Sequence, residues 1–360
     1  MSNSDLTSAE VEGVRTEPKG EIEPSGRSKS RLSFEFRGNA RDYFRIWVVN
    51  LFLTLLTLGV FSAWAKVRKK RYFYAHTLLD GTPFEYRGRP IPILKGRVLA
   101  AGFLALWFVS TNYVLELLLP AIVVAAVAAP WVLVRTAAFN ARSTAYRNMT
   151  FDFRASYTDA FKTLTWGGVV TVVTLGIGYP FLHHRLSKFL VERLRFGGIP
   201  GSFHGLAGRY FRAYFAAGFT AALVTLGAIL LTPRIPRTSP TAALILTSLP
   251  VYAGYLVSFV LLQARITNYV WNQRELGPLV FDARLRAKEL IVLYLTNTLA
   301  IVGSLGLLIP WATVRMARYR ASRLRVACYG KLAEFRGTAQ PAGSAAGAEV
   351  ADLFEFDVSI

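Results

Sequence analysis

Groups able to do chemistry are sparse in this chain of 360 residues. Its four histidines are His76, His183, His184 and His204. On a helix the adjacent pair would point to different faces and make a poor chelate. No His-Glu-x-x-His, Gly-x-Ser-x-Gly or Gly-x-x-x-x-Gly-Lys string occurs. No metal, cofactor or catalytic residue is therefore expected, and the chain does not read as an enzyme. One cysteine, Cys328, leaves no disulfide within the chain and reads as a small apolar filler.

The polar groups that stand out do so because of where they lie. Seven apolar segments run over about 46–65, 98–118, 121–139, 164–182, 213–232, 242–263 and 290–312. Several contain windows of about twenty nearly uncharged residues, the length that crosses ~30 Å of hydrocarbon. Apolar residues make up 53% of the chain. Mean hydropathy is +0.35. Asn50 and Asn297 fall inside such segments, where an amide must find a partner. Glu116 is the acid inside one, four residues before Pro120, and reads as reaching the outer headgroups or as a buried proton or cation site. Asn112, one turn earlier, shares its face.

The elements that must position these groups form a repeat. Phe34-Glu35-Phe36-Arg37, Phe151-Asp152-Phe153-Arg154 and Phe281-Asp282-Ala283-Arg284 each read Phe, acid, any residue, Arg. Twenty-five residues after each first Phe stands Gly59, Gly176 or Gly306, preceded by Thr-Leu or Ser-Leu. Five residues later comes Trp64, Phe181 or Trp311; nine later, Arg68, Arg185 or Arg315; twelve later, Arg71, Lys188 or Arg318. An aromatic follows at once: Tyr72, Phe189 or Tyr319. The repeat motifs span 34–88, 151–205 and 281–337, and the hairpins 98–139 and 213–263 lie between them. The expected fold is thus an all-α polytopic membrane protein: a helical bundle in which three copies of one apolar segment alternate with two helical hairpins. Short cytoplasmic β-strands accompany it. The entry strings place acid and Arg on one face of an extended chain and aromatics on the other. The strings at 34–37 and 84–87 are expected to pair with each other. Residues 31–337 make the membrane domain. Residues 1–30 are expected to be a disordered tail. Residues 338–360 read as a flexible tail with a possible strand at 352–358.

Net charge is +20. The bases cluster at the ends of apolar segments, which points to a membrane and anionic headgroups rather than nucleic acid. Both flanks of each repeated segment are basic, and only the hairpin tips are poor in charge. Two topologies follow. Either the repeated segments span, which puts one basic flank outside, or they bend near Gly59, Gly176 and Gly306 and return. Pro180 and Pro310 also favour a break. The arginines and lysine that follow these glycines read as contacts to lipid headgroups or an anion.

Phe34-Glu35-Phe36-Arg37-Gly38, the run Thr57 to Arg68 (TLGVFSAWAKVR) and the run Arg71 to Thr77 (RYFYAHT) resemble the YjgN-like family of bacterial inner-membrane proteins. The resemblance covers roughly residues 32–337. It implies a multi-pass inner-membrane protein, for which a cytoplasmic N-terminus is expected here, and supplies no activity, cofactor or catalytic residue. The second copy departs from it, with His183-His184 where the first has Lys66-Val67. Two functions remain: a transporter or channel-like protein for a small solute, favoured by internal repeats, and a non-transporting envelope scaffold that binds anionic lipid or a partner.

Overall fold

A computed structural model describes residues 29–231 and 240–329. Its backbone repeats one unit, a strand, two helices and a strand, five times. The first unit is β1 (Lys29–Phe36), α1 (Ala40–Leu56), α2 (Ser62–His76) and β2 (Thr77–Leu79). The second is β3 (Thr82–Tyr86), α3 (Pro90–Asn112), α4 (Leu118–Ser143) and β4 (Thr144–Tyr146). The third is β5 (Met149–Phe153), α5 (Tyr157–Val173), α6 (Tyr179–Arg193) and β6 (Leu194–Phe196). The fourth is β7 (Ile199–Phe203), α7 (Ala207–Leu231), α8 (Pro240–Asn272) and β8 (Arg274–Leu276). The fifth is β9 (Leu279–Ala283), α9 (Ala287–Gly303), α10 (Ile309–Ser322) and β10 (Leu324–Tyr329).

The two strands of every unit pair antiparallel, as in Phe34↔Leu79, Phe84↔Tyr146, Phe151↔Phe196, Phe203↔Arg274 and Phe281↔Val326. Successive units join through two-residue hairpins, and β1 also pairs with β10, so ten strands close into a barrel. This overturns the expected all-α bundle with a few short strands. The strands are three to eight residues long, too short for alternation to stand out beside helices of up to 33 residues. Their signal lay in the turns. Asp80-Gly81, Arg147-Asn148 and Gly197-Gly198 hold positive φ at both residues, and Gly277 before Pro278 at the first. These are the primed turns that match strand twist. The strings at 34–37 and 84–87 do not pair with each other either; each flanks β2. The tails at 1–28 and 330–360, with the strand expected at 352–358 and the end of the third motif, lie outside the described residues.

Alternation along the strands fills the barrel. Leu32, Phe34 and Phe36 are buried while Arg31, Ser33, Glu35 and Arg37 face out. Phe34, Phe84, Tyr146, Met149, Phe151, Phe196, Leu276, Val326 and Cys328 share one core, with Ala137 and Ala141 of α4 and Phe189 of α6 packed on it. Phe84 stands 4.8 Å from Tyr146, and Phe151 4.8 Å from Phe196. Outside, acid and arginine pair within each entry string: Glu35–Arg37 at 2.9 Å, Glu85–Arg87 at 2.7 Å, Asp152–Arg154 at 2.7 Å and Asp282–Arg284 at 2.8 Å.

Each helix packs on the next and α10 packs on α1, so the five helical pairs form a closed ring above the barrel. Among the described residues, four helical stretches are long and apolar enough to cross a membrane: Pro90–Asn112, Leu115–Ser143, Ala207–Leu230 and Ser248–Asn272. These are the two long hairpins. The repeated segment is a shorter pair, α1–α2, α5–α6 and α9–α10, whose first helix has 17 residues each time. Both ends of each short pair are tied to paired strands of one barrel. Each therefore rises and returns to the side it left.

Candidate functional site

The turn at the top of each short pair follows from Thr-Leu-Gly or Ser-Leu-Gly. Leu58, Leu175 and Leu305 adopt φ of 50°, 51° and 50°, and Gly59, Gly176 and Gly306 follow at 92°, 92° and 91°. Two left-handed residues in succession end the helix, and glycine supplies the more extreme one. The glycine N–H bonds five residues back, to Thr54, Thr171 or Ile301, at 2.7–2.8 Å. The hydroxyl clips both helices. Thr57 Oγ1 donates to Leu53 O at 2.8 Å and accepts from Phe61 N–H at 2.9 Å. Thr174 makes the same two bonds, while Ser304 donates to Ile301 O, three residues back, and accepts from Leu308 N–H. The leucine thus sits at the tip, 93–95% exposed, amid exposed neighbours such as Leu56, Val60, Val173, Ile177 and Leu307.

A chain that folds back on itself brings residues equally distant from the turn to one height. Asn50 and Arg68 lie nine residues before and after Gly59, and Asn297 and Arg315 nine before and after Gly306. The structure joins them. Arg68 Nη1 donates to Asn50 Oδ1 at 3.4 Å. Arg315 Nη1 donates to Asn297 Oδ1 at 3.0 Å and also to Thr296 Oγ1. Asn297 Nδ2 donates to Ala312 O at 3.5 Å. Both asparagines are 7% exposed. The sequence had set the asparagines apart from the arginines; the fold makes two clasps of them.

The third unit breaks the pattern. Gly167 replaces the asparagine, and Leu182 stands where the others have Ala65 and Ala312. A Cβ on Gly167 would come within 2.6 Å of Leu182 Cδ1. Large and small have exchanged places across the pair, and Arg185 has no amide to hold it. Its guanidinium lies over Phe181 at 4.9 Å, as Arg315 lies over Trp311 at 5.1 Å. It also lines an open groove with Phe161, Lys162, Thr165, Trp166 and Val169. Lys162, Phe161 and Trp166 were missed as site residues; the missing asparagine was the signal that could have found them.

The remaining candidates have other surroundings. Arg318 donates to Gly38 O at 3.1 Å and helps tie the last unit to the first. Lys188 faces Glu192 at 3.8 Å, and Arg71 is exposed. Tyr72, beside it, accepts from Asn39 N–H at 2.8 Å and donates to Asn39 O at 2.7 Å. Tyr319 holds Arg286 in the same way at 3.0 and 3.3 Å. Phe189 cannot do this, and Ser156 caps α5 itself, accepting from Asp159 N–H at 3.0 Å. Glu116 is exposed in a 3-10 turn at the tip of the α3–α4 hairpin. Asn112 donates to Phe108 O at 2.9 Å rather than reaching Glu116. His183 bonds Tyr214 at 2.8 Å, His184 bonds Gly205 O at 2.9 Å, and both rings stand edge-on to Tyr210. Among the described residues no three His, Cys, Asp or Glu converge on one point. In the barrel wall, burial would raise the Asp152 carboxyl, but bonds from Arg154 and Arg142 outweigh it and hold the group below its ordinary range.

Comparison with known proteins agrees with a membrane setting. Residues 31–353 match the family described as bacterial protein of unknown function, DUF898. Inner membrane protein YjgN of Escherichia coli strain K12 is 46% identical over 54 residues, which is 15% of this chain and 14% of that protein. Inner membrane protein YjgN of Salmonella typhimurium strain LT2 is 36% identical over 63 residues, 18% of this chain and 16% of that protein. The matched stretches thus span under a fifth of the length of these relatives. No solved structure matches the chain.

Proposed function

This chain belongs to the DUF898 family of bacterial proteins and is an inner-membrane protein of it, and we propose that it acts as a non-transporting scaffold holding anionic lipid in the leaflet beside its barrel. One observation carries this: the short pairs leave the barrel and come back to it. Each arginine lies nine residues beyond its tip glycine, seven of them helical, a rise of about 13 Å at most. That is close to half of the ~30 Å hydrocarbon thickness. With the arginines at headgroup level, the leucine tips reach the bilayer midplane and stop. Three such pairs occupy one leaflet only.

Charge supports the orientation. Among the described residues, every Lys and Arg falls in the barrel, its loops or the helices, at least seven residues from the turns at Gly59, Gly176 and Gly306. By the positive-inside rule the barrel and the N-terminus face the cytoplasm. Anionic headgroups are the matching partner, each nearby base contributing roughly 1 kcal/mol.

The transporter reading draws support from the repeats but less from the interior. The barrel axis is filled by Phe34, Phe84, Phe151 and Phe196, and the intramembrane amides Asn50 and Asn297 are engaged by arginine. The test is flux from reconstituted vesicles. Potassium, phosphate and carboxylate release should match protein-free vesicles, while phosphatidylglycerol copurifies with the protein. Solute flux that disappears in Asn50→Leu or Asn297→Leu would replace this reading by transport.

A further inference from the structure

We propose that the α5–α6 groove is a specific site for the phosphate of an anionic lipid, and that Arg185 is the repeat arginine which binds it while Arg68 and Arg315 are structural. The inference rests on the one-leaflet reading above, and it comes from the place where the pseudo-symmetry fails. In the first and fifth units the guanidinium is satisfied inside the protein by Asn50 and Asn297. In the third, the asparagine is replaced by Gly167, and Leu182 fills the space it would take. A guanidinium has five N–H donors, and among the described residues no carboxylate or amide accepts from Arg185.

The rest of the groove suits a lipid. Lys162 and Thr165 of α5 line it together with Arg185 of α6. Two bases flanking one groove favour a doubly coordinated phosphate oxygen set, with arginine supplying the planar fork. Lys162 lies fourteen residues, about 21 Å, before the tip glycine Gly176. Arg185 lies about 13 Å below the tip by the same rise. Lys162 thus lies about 7 Å nearer the barrel than Arg185, a gap that the two long side chains bridge, since both line the one groove at its headgroup end. On α5, Trp166 is level with Arg185 and 56% exposed, and Val169, Val172 and Val173 above it, toward the midplane, are 49%, 74% and 75% exposed. They make an apolar track along which an acyl chain can lie, with the Trp166 ring near the interface where indoles concentrate.

The test uses the full chain in a neutral detergent, titrated with dioctanoyl phosphatidylglycerol and followed by native mass spectrometry. Arg185→Gln with Lys162→Gln should weaken binding about tenfold or more, while Arg68→Gln and Arg315→Gln leave it within twofold. A second variant keeps every charge: Gly167→Asn with Leu182→Ala rebuilds the clasp of the other units and should also weaken binding, by capturing Arg185. Dioctanoyl phosphatidylcholine should bind far more weakly, and millimolar inorganic phosphate should not compete. Equal loss in all three arginine variants, unchanged binding in the rebuilt clasp, or full competition by inorganic phosphate would each overturn the site. Those results leave the depth of the tips untouched, so failure of this site and failure of the one-leaflet reading are distinguishable.

Discussion

Replacing Leu58, Leu175 and Leu305 together by asparagine tests the half-membrane geometry most directly. Each leucine holds a left-handed conformation that asparagine tolerates better and makes almost no contact with the protein, being 93–95% exposed. Within the protein alone the exchange should be neutral or favourable. In the bilayer the balance reverses. Transfer of a leucine side chain to hydrocarbon stabilises by about 1.5–3 kcal/mol, so three contribute roughly 5–9 kcal/mol. An amide without a partner there costs a further ~2–7 kcal/mol each. The tips should withdraw toward the headgroups. The assay is the depth of a spin label on cysteines placed singly at Val60, Ile177 and Leu307, each next to a tip glycine, read by oxygen and nickel collision. The native Cys328 is fully buried in the barrel core and stays silent. In the unsubstituted background the labels should lie within a few ångströms of the midplane, about 13 Å above the arginines. In the triple asparagine variant they should be shallower by several ångströms. A label at Val60 that reacts with impermeant reagents from the face opposite the barrel, or that sits in water in the unsubstituted protein, refutes the geometry.

Other expectations follow from the same contacts. Gly59→Ala and Gly176→Ala meet open space, so each should cost only the backbone strain of about 1–2 kcal/mol, adding in the double variant when melting is followed in detergent. Asn297→Leu orphans one Arg315 contact and should cost roughly 1–3 kcal/mol, whereas Asn297→Gly with Ala312→Leu, which copies the third unit, should recover part of it. Tyr72→Phe removes two hydrogen bonds to Asn39, about 1–3 kcal/mol in total. Asp152 has a folded-state pKa below its unfolded value. Its contribution is therefore present above the unfolded pKa and lost as pH falls through the folded one, so acid melting below about pH 4 should be less steep in Asp152→Asn.

Much of the architecture was legible because it recurs at fixed spacing. The glycine, the aromatic five residues on and the arginine nine residues on located the turn and the helix after it. The acid and arginine of the entry strings were placed on one face of a strand, and they pair there. The barrel was not legible, since β2, β4, β6 and β8 have three residues each and pair with strands as far away in sequence as Gly201 is from Leu276, across a full helical hairpin. Period-two alternation needs more residues than that to emerge. Asp80-Gly81 and Gly197-Gly198 carried the hairpin signal instead. The asparagine–arginine clasps were hidden for a different reason. They need the fold-back at Gly59 and Gly306 before positions nine on either side become neighbours, and a spanning helix would have held them about 27 Å apart.

The pairing of β1 with β10 joins Lys29 to Tyr329, which sets an order on biosynthesis. The N-terminal half of β1 leaves the ribosome first and waits, its ladder open, until almost all of the sheet has been made. The four earlier units can dock one after another as they emerge, each inserting its own helical pair into the lipid. Closure belongs to the last. A chain stopped before Leu324 keeps every long apolar helix but exposes two raw strand edges at the membrane surface, where a second truncated copy could dock edge to edge.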